Sequence, residues 1–366
     1  MSEPARYIMI GGFLGAGKTT AVARLAQHLA DRGKRVGLIC NDQSSGLVDT
    51  TLLRSKGFPV AEITGGCFCC RFNSLLEASE NLTAAARPDL FLAEPVGSCT
   101  DLVATVSYPL RRIYGARFTV APLSVLVDPG RAARIVGLTE GRTFSEKVVY
   151  VYEKQLQEAD LIVVNKCDAH PTEFLERLTS TLVQRYPDAR VLTCSAREGI
   201  GLDAWFETLL REKQISARPL EIDYDIYAEG EARLGWVNCT IQLEADEPFD
   251  ANQTLLDLTR HIRERVAVTG HDIAHLKMTL DSQDGTGTLS VVSLVGADCE
   301  PDLRESLLDR VTGGELIINL RAEADPAWLE TTTRDAVGSL SGVRARIEHL
   351  EQLRPGRPTP THRMAQ

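Results

Sequence analysis

No run of apolar residues in this chain is long enough to cross a bilayer, so no part of it reads as a membrane span. The opening residues, MSEPAR, lack the basic start and apolar core of a secretory leader, and the chain is expected to be cytoplasmic. Basic residues are in deficit. Forty Lys and Arg stand against 50 Asp and Glu, a net charge of −10, which argues against nucleic acid as a partner. A disulfide framework is not expected either, because the nine cysteines are odd in number and six are scattered singly. The remaining three, Cys67, Cys69 and Cys70, are crowded together and need their own explanation. The 366 residues are of ordinary globular composition, enough for two domains.

The stretch Tyr7 to Thr20, YIMIGGFLGAGKTT, is a short apolar strand running into G-x-x-x-x-G-K-T, a phosphate-binding loop, and then into a helix. Gly12, Gly15 and Gly17 keep side chains away so that backbone N–H groups of the loop, including those of Ala16, Lys18, Thr19 and Thr20, can converge on phosphate oxygens. The helix points its partly positive end at the anion. Lys18 supplies a point charge to the β- and γ-phosphates, and the Thr19 hydroxyl is placed to hold Mg²⁺.

Apolar strands at 35–40, 59–63, 89–93, 120–127, 160–164 and 190–193 alternate with helical segments. This predicts an α/β P-loop NTPase domain, residues 1–214, with a mostly parallel sheet. Each polar motif follows a strand, where such sheets bind ligands. Residues 215–222 read as a linker. Beyond it, 236–243 alternate as a strand, 255–266 follow helical spacing, and strands at 273–280 and 288–295 precede a helix at 301–311 and a strand at 315–320. Asp325-Pro326 opens a last helix and 343–350 a last strand. The order β-α-β-β-α-β predicts a C-terminal α+β ferredoxin-like domain over 223–350, and the Pro-rich residues 351–366 read as a disordered tail.

Asn165-Lys166-Cys167-Asp168 is N-K-x-D after a strand. An Asp carboxylate accepts from guanine N1–H and the 2-amino group, neither of which adenine offers, so GTP and GDP are expected rather than adenine nucleotides. Asn165 is expected to bond the other edge of the base, the Lys166 stem to lie over the ring, and Ser195-Ala196 to offer an N–H to guanine O6. Glu94 ends the strand at 89–93 and is expected to assist metal or water positioning, with Gly97 offering an N–H near the γ-phosphate. No arginine finger or catalytic Gln is identifiable, so hydrolysis is expected to be slow without a partner.

Three thiols in Cys67-x-Cys69-Cys70 suit Zn²⁺, Cu(I) or related ions. Three ligands leave a tetrahedral ion one short. Asp42, Asp49, a second copy of the chain or a recipient protein are candidates for the fourth. The competing reading is one reactive thiol beside two packing cysteines.

GFLGAGKTT, GGCFCC, Glu94-x-x-Gly97 and NKCD, in this order, resemble the CobW-like family of GTP-binding metallochaperones over about residues 7–210. The resemblance implies a dimer-forming P-loop GTPase whose nucleotide state alters metal affinity, with Zn²⁺ or Co²⁺ as the transferred ion and a client metalloprotein as partner. The loop after the second strand departs from the family's Asn-Glu-Phe-Gly, reading Asn41-Asp42-Gln43-Ser44, and no His-rich stretch is present. Two other functions stay open: a GTP-gated regulatory or assembly module with a structural zinc, and a kinase or ligase acting on a small molecule.

Overall fold

The computed structural model describes residues 4–41, 48–214 and 220–364. Asp42, expected as a metal ligand, and residues 215–219 of the expected linker lie outside the described residues. The elements in chain order are β1 Ala5–Gly12, α1 Lys18–Ala30, β2 Val36–Asn41, α2 Val48–Ser55, β3 Val60–Ile63, α3 Phe72–Ala86, β4 Leu90–Glu94, α4 Tyr108–Arg112, β5 Phe118–Val120 and β6 Ser124–Val127. Next come α5 Pro129–Ile135, α6 Glu146–Glu158, β7 Leu161–Val164, α7 Thr172–Arg185, β8 Arg190–Thr193, α8 Leu202–Arg211 and α9 Tyr224–Arg233. The chain ends with β9 Gly235–Phe249, α10 Ala251–Val268, β10 Ile273–Asp281, β11 Leu289–Leu294, β12 Asp302–Glu305, β13 Val311–Ala322, α11 Pro326–Gly338 and β14 Arg344–Leu353. Among the described residues no helix is long and apolar enough to cross a membrane.

The first compact unit takes the described residues up to 41, from 56 to 230 and from 357 onward. Its strands form a parallel sheet in the order β3-β2-β4-β1-β6-β7-β8, with β5 also on β1. The central strands are buried along their length, as a sheet covered on both faces requires. The single strand expected at 120–127 is two strands: Ala121 N–H still pairs with Tyr7 O at 2.9 Å, but Pro122 has no N–H to donate, and pairing with β1 resumes one residue out of register at Ile10 and Ser124.

The second unit takes 48–55 and 231–356. Its antiparallel sheet runs β12-β11-β10-β13-β9-β14. The run β14-β9-β13-β10 is the 4-1-3-2 order of a ferredoxin-like β-α-β-β-α-β fold, with a β11–β12 hairpin added beyond β10. That hairpin corrects one expectation: residues 301–311 are not a helix. Leu303, Leu307 and Val311 repeat at i, i+4, but Asp302–Glu305 instead pair with the open edge of β11, and Leu308 is left 97% exposed. Val237, Cys239, Ile241 and Leu243 pack against Leu255, Leu258, Ile262 and Val266 of α10. The opposite face of β9 is also closed at its start. Arg321 stacks 4.0 Å over Trp236, and Asn319 bridges Asn238 Oδ1 at 3.0 Å and the Val48 N–H of α2 at 2.9 Å. Asp49 of α2 is ion-paired with Lys277.

The sequence reads 351–366 as a tail. In the structure, residues 351–353 finish β14, and the chain from 357 belongs to the first unit. Arg363 Nε donates to Asp101 Oδ2 at 2.7 Å, and Met364 N–H donates to Ala104 O at 3.0 Å.

Candidate functional site

The loop from Gly12 to Gly17 joins β1 to α1, and four successive carbonyl oxygens in it are tied down by donors. Phe13 O accepts from Ala16 N–H at 3.2 Å and from Lys18 Nζ at 3.5 Å. Leu14 O accepts from Arg131 Nη1, Gly15 O from Lys166 Nζ at 2.9 Å, and Ala16 O from Asn165 Nδ2 at 2.9 Å. With its carbonyls held this way, the loop can turn its N–H groups toward an anion. The first α-helical bond of α1 is Ala21 N–H to Gly17 O, so the N–H groups of Lys18, Thr19 and Thr20 precede the ladder. Gly17 has φ +94°, and a Cβ there would collide with Asn165 Nδ2. Gly12 and Gly15 also have positive φ.

Two of these anchors are not legible as motifs. Asp128 follows β6, caps α5 by accepting Arg131 N–H at 2.9 Å, and pairs with Lys166 Nζ at 2.8 Å. Burial alone would raise its pKa, but Lys166 and Arg131 outweigh burial and hold the carboxyl well below the usual range. Arg131 is buried between the rings of Phe13 and Phe144, 5.4 and 5.2 Å from their centroids. Its spacing, three residues after the Asp of an Asp-Pro, is the only trace in the sequence.

Of the expected base readers, Asn165 uses both ends of its amide within the protein: Nδ2 on Ala16 O, and Oδ1 accepting from Ala196 N–H at 2.9 Å. Ser195 N–H donates to Ile200 O at 2.9 Å, so here Ser195 and Ala196 fix their own turn and Asn165. Lys166 is held at φ +58° with its ammonium on Gly15 O and Asp128. The Asp168 residue, in the short turn Cys167–Ala169 after β7, is exposed.

Glu94, at the end of β4, accepts the Thr19 hydroxyl at 3.0 Å, and both residues are buried. The loop that follows presses on the phosphate loop: a Cβ at Gly97 would lie 2.9 Å from Leu14 N. α6 holds this loop. Gln155 Nε2 donates to Gly97 O at 2.9 Å and Cys99 O at 2.8 Å; Glu158 accepts from Thr100 Oγ1 and Val103 N–H, each at 3.0 Å. Complete burial pushes the Glu158 carboxyl up to about 8. Gln155 sits seven residues after Val148 on the apolar face of α6, a polar residue at a core position.

The three motif cysteines close a turn, with Cys70 and Arg71 N–H groups both donating to Cys67 O. Their sulfurs all lie within 4.8 Å of one another, Cys67 being 2.7 Å from Cys69 and 3.3 Å from Cys70. Cys67 and Cys69 are buried and Cys70 is half-buried. Hydrogen bonds from Cys69 and then Cys70 pull the Cys67 thiol well below its ordinary pKa. The same contact with Cys67 raises Cys69, and pushes Cys70 up to about 11. Asn41 braces the lead-in by donating to Ile63 O at 3.0 Å and Gly66 O at 2.8 Å. The C-terminal segment lies over the turn. Thr359 N–H donates to Cys70 Sγ at 3.1 Å, Thr361 N–H to Cys69 O at 2.8 Å, and the His362 ring meets Phe72 edge-on at 5.1 Å. A soft or borderline cation fits this donor set: adjacent thiols, one already disposed to ionise, and an N–H aimed at a sulfur.

A family model described as the CobW/HypB/UreG nucleotide-binding domain matches residues 6–193. A zinc chaperone CobW of a Sinorhizobium species is 32% identical over 182 residues, 44% of this chain and 50% of that protein. A zinc chaperone YeiR of Escherichia coli is 28% identical over 190 residues, 51% of this chain and 54% of that one. A probable GTPase of Mycobacterium tuberculosis is 28% identical over 277 residues, 72% of this chain and 76% of that one. The chain spans about half the length of the first two, so their names describe them as whole proteins and not this chain.

Proposed function

Because the chain belongs to the CobW/HypB/UreG nucleotide-binding domain family over residues 6–193, we propose that it is a GTPase that couples its nucleotide state to holding and handing on a thiophilic divalent cation. The observation that carries this reading is the loop after β4. It begins at Glu94, which meets Thr19, and it touches Leu14 at Gly97 before reaching Cys99, whose thiol hydrogen bonds to Cys67. A change at the phosphate loop and a change at the thiols therefore act on one short segment.

In this reading the phosphates occupy the N–H-lined side of residues 12–20, and Lys18 leaves Phe13 O, a long 3.5 Å contact, to neutralise the β- and γ-phosphates. The Thr19 hydroxyl, with Glu94 beside it, would hold Mg²⁺, whose charge would offset that of the phosphates. The Asp168 carboxylate accepts from guanine N1–H and the 2-amino group, while Asn165 and Lys166 keep the base site fixed to the phosphate loop. Water attacks the γ-phosphorus, the bond to the β–γ bridging oxygen breaks, and GDP and inorganic phosphate leave. The cargo is Zn²⁺ or Co²⁺ on Cys67, Cys69 and Cys70, and the recipient is a client metalloprotein; assembly as a homodimer belongs to the same proposal.

Competitive zinc titration of the full chain without nucleotide, with GDP and with a non-hydrolysable GTP analogue tests it. Affinities that differ between the states by about tenfold or more, or about 1.4 kcal/mol, are expected. Equal affinity in all three would overturn the carrier reading and leave a static zinc in a GTP-gated module.

A further inference from the structure

Three thiolates do not saturate a tetrahedral ion, and a fourth cysteine stands beside the trio. Cys99 is 1% exposed, and its side chain hydrogen bonds to that of Cys67. Its backbone is held by its own turn, Cys99 N–H to Val96 O at 3.0 Å, and by Gln155 Nε2 on its carbonyl at 2.8 Å. We propose that Cys99 is the fourth ligand of the metal site, so that the cation is held by thiolates from both the turn after β3 and the loop after β4. The inference rests on the metal-binding reading of Cys67, Cys69 and Cys70 given above.

The three sulfurs that all lie within 4.8 Å of one another do not include that of Cys99. Cys99 therefore touches the site at Cys67 without completing it in this structure, and closing a four-thiolate shell requires its loop to advance. That loop is the one held to the phosphate loop at Glu94–Thr19 and Gly97–Leu14. Advancing it gives a closed shell that retains the ion. Withdrawing it leaves three thiolates and an open position, the arrangement from which an incoming thiolate or imidazole of a recipient can take the ion. Binding exchanges thiol protons for metal, with no change of oxidation state, so no oxidant or reductant enters the step.

Sulfur coordination is counted by X-ray absorption on the zinc-loaded wild-type chain, nucleotide-free, with GDP and with a non-hydrolysable GTP analogue. Four sulfurs in at least one state are expected. Three sulfurs and one lighter atom in every state would overturn the proposal without any variant. C99S in the state with four should drop to three sulfurs, lose about a quarter of the thiolate-to-cobalt charge-transfer intensity in the Co²⁺ form, and bind zinc on the order of tenfold to a hundredfold more weakly. C99S with unchanged sulfur count and affinity would overturn it. C67S separates this inference from the reading beneath it. If C67S abolishes binding while C99S changes nothing, only the fourth ligand is lost; if C67S binds zinc as wild type does, the metal-binding reading itself fails.

Discussion

Asn165 donates its amide N–H to the carbonyl oxygen of Ala16 at 2.9 Å, so the segment after β7, proposed to read the base, is bolted to the loop after β1, proposed to cradle the phosphates. The other end of the same amide accepts the Ala196 N–H. Asn165→Ala leaves a buried carbonyl and a buried N–H without this partner, each costing about 1–3 kcal/mol. The nucleotide-free chain should therefore unfold at lower denaturant, and GTP binding should weaken as well. Equilibrium denaturation without nucleotide checks the first; a variant as stable as wild type would mean that Asn165 serves the base alone.

Asp168 differs from Asn165 in being exposed. Asp168→Asn should leave the stability of the nucleotide-free chain unchanged. It should weaken GTP by at least about a hundredfold, because an amide N–H then faces the guanine 2-amino group. Xanthosine triphosphate presents a carbonyl at that position and should bind the variant better than GTP does. Paired titrations with the two nucleotides read the switch directly, and an unaltered preference for GTP would move base recognition elsewhere.

At Gly97 there is no room for a methyl group, since a Cβ would lie 2.9 Å from Leu14 N and 2.8 Å from Leu14 Cδ2. Gly97→Ala must displace one of the two loops. Nucleotide affinity should fall, and the difference in zinc affinity between nucleotide states should shrink. Zinc binding without nucleotide should persist. Titration of each ligand alone and then together separates these outcomes, and a variant with full coupling would show that the β4 loop does not transmit it.

Much of this site is legible because a parallel sheet puts the ends of successive strands along one edge. Gly12, Cys67, Glu94, Asn165 and Ser195 each end or follow a strand with an apolar run. What stays hidden depends on partners distant in the chain. Arg131 is an ordinary surface-type residue until Phe13, Phe144 and Leu14 O surround it. Cys99 looks like one of the scattered cysteines until β3 and β4, with β2 between them, bring its loop to Cys67. The β11–β12 hairpin is missed because leucines four apart suit a helix, and only the free edge of β11 makes a strand the better place for them.

Glu158 gives a pH signature. Its carboxyl is pushed up to about 8 by burial, from an ordinary value of 4.5. The folded state thus keeps a proton that the unfolded state releases. The contribution to stability is full below about 4.5, falls as pH rises, and is lost once pH passes about 8. Glu158→Gln removes the charge, and its oxygen can still accept the Val103 N–H while the Thr100 hydroxyl turns to accept from the new amide. Between these pH values, wild-type unfolding free energy should fall relative to the variant with a slope approaching 1.4 kcal/mol per pH unit at most, roughly the value for one proton. Denaturation curves for both chains across that range test it; parallel pH profiles would mean that Glu158 is ionised in the fold throughout.

The C-terminal segment offers the sharpest test at the thiols, because one backbone N–H makes the contact. Thr359 N–H donates to Cys70 Sγ at 3.1 Å, whereas Thr361 holds the backbone of the turn through Cys69 O and Cys70 O. An N–H directed at a sulfur stabilises the thiolate that a metal needs, and its loss raises the cost of removing the thiol proton. Thr359→Pro deletes that donor, lies between two prolines already present, and leaves the Thr361 contacts in place. Zinc affinity should fall by about tenfold, at the mild end for a partner outside the ligand shell, with GTP affinity unchanged. With the Cys70 thiol pushed up to about 11, protons compete alike in both chains at pH 7 and at pH 9, so the loss should be about equal at the two values. No loss would mean that Cys70 is not held as a thiolate ligand by this strap.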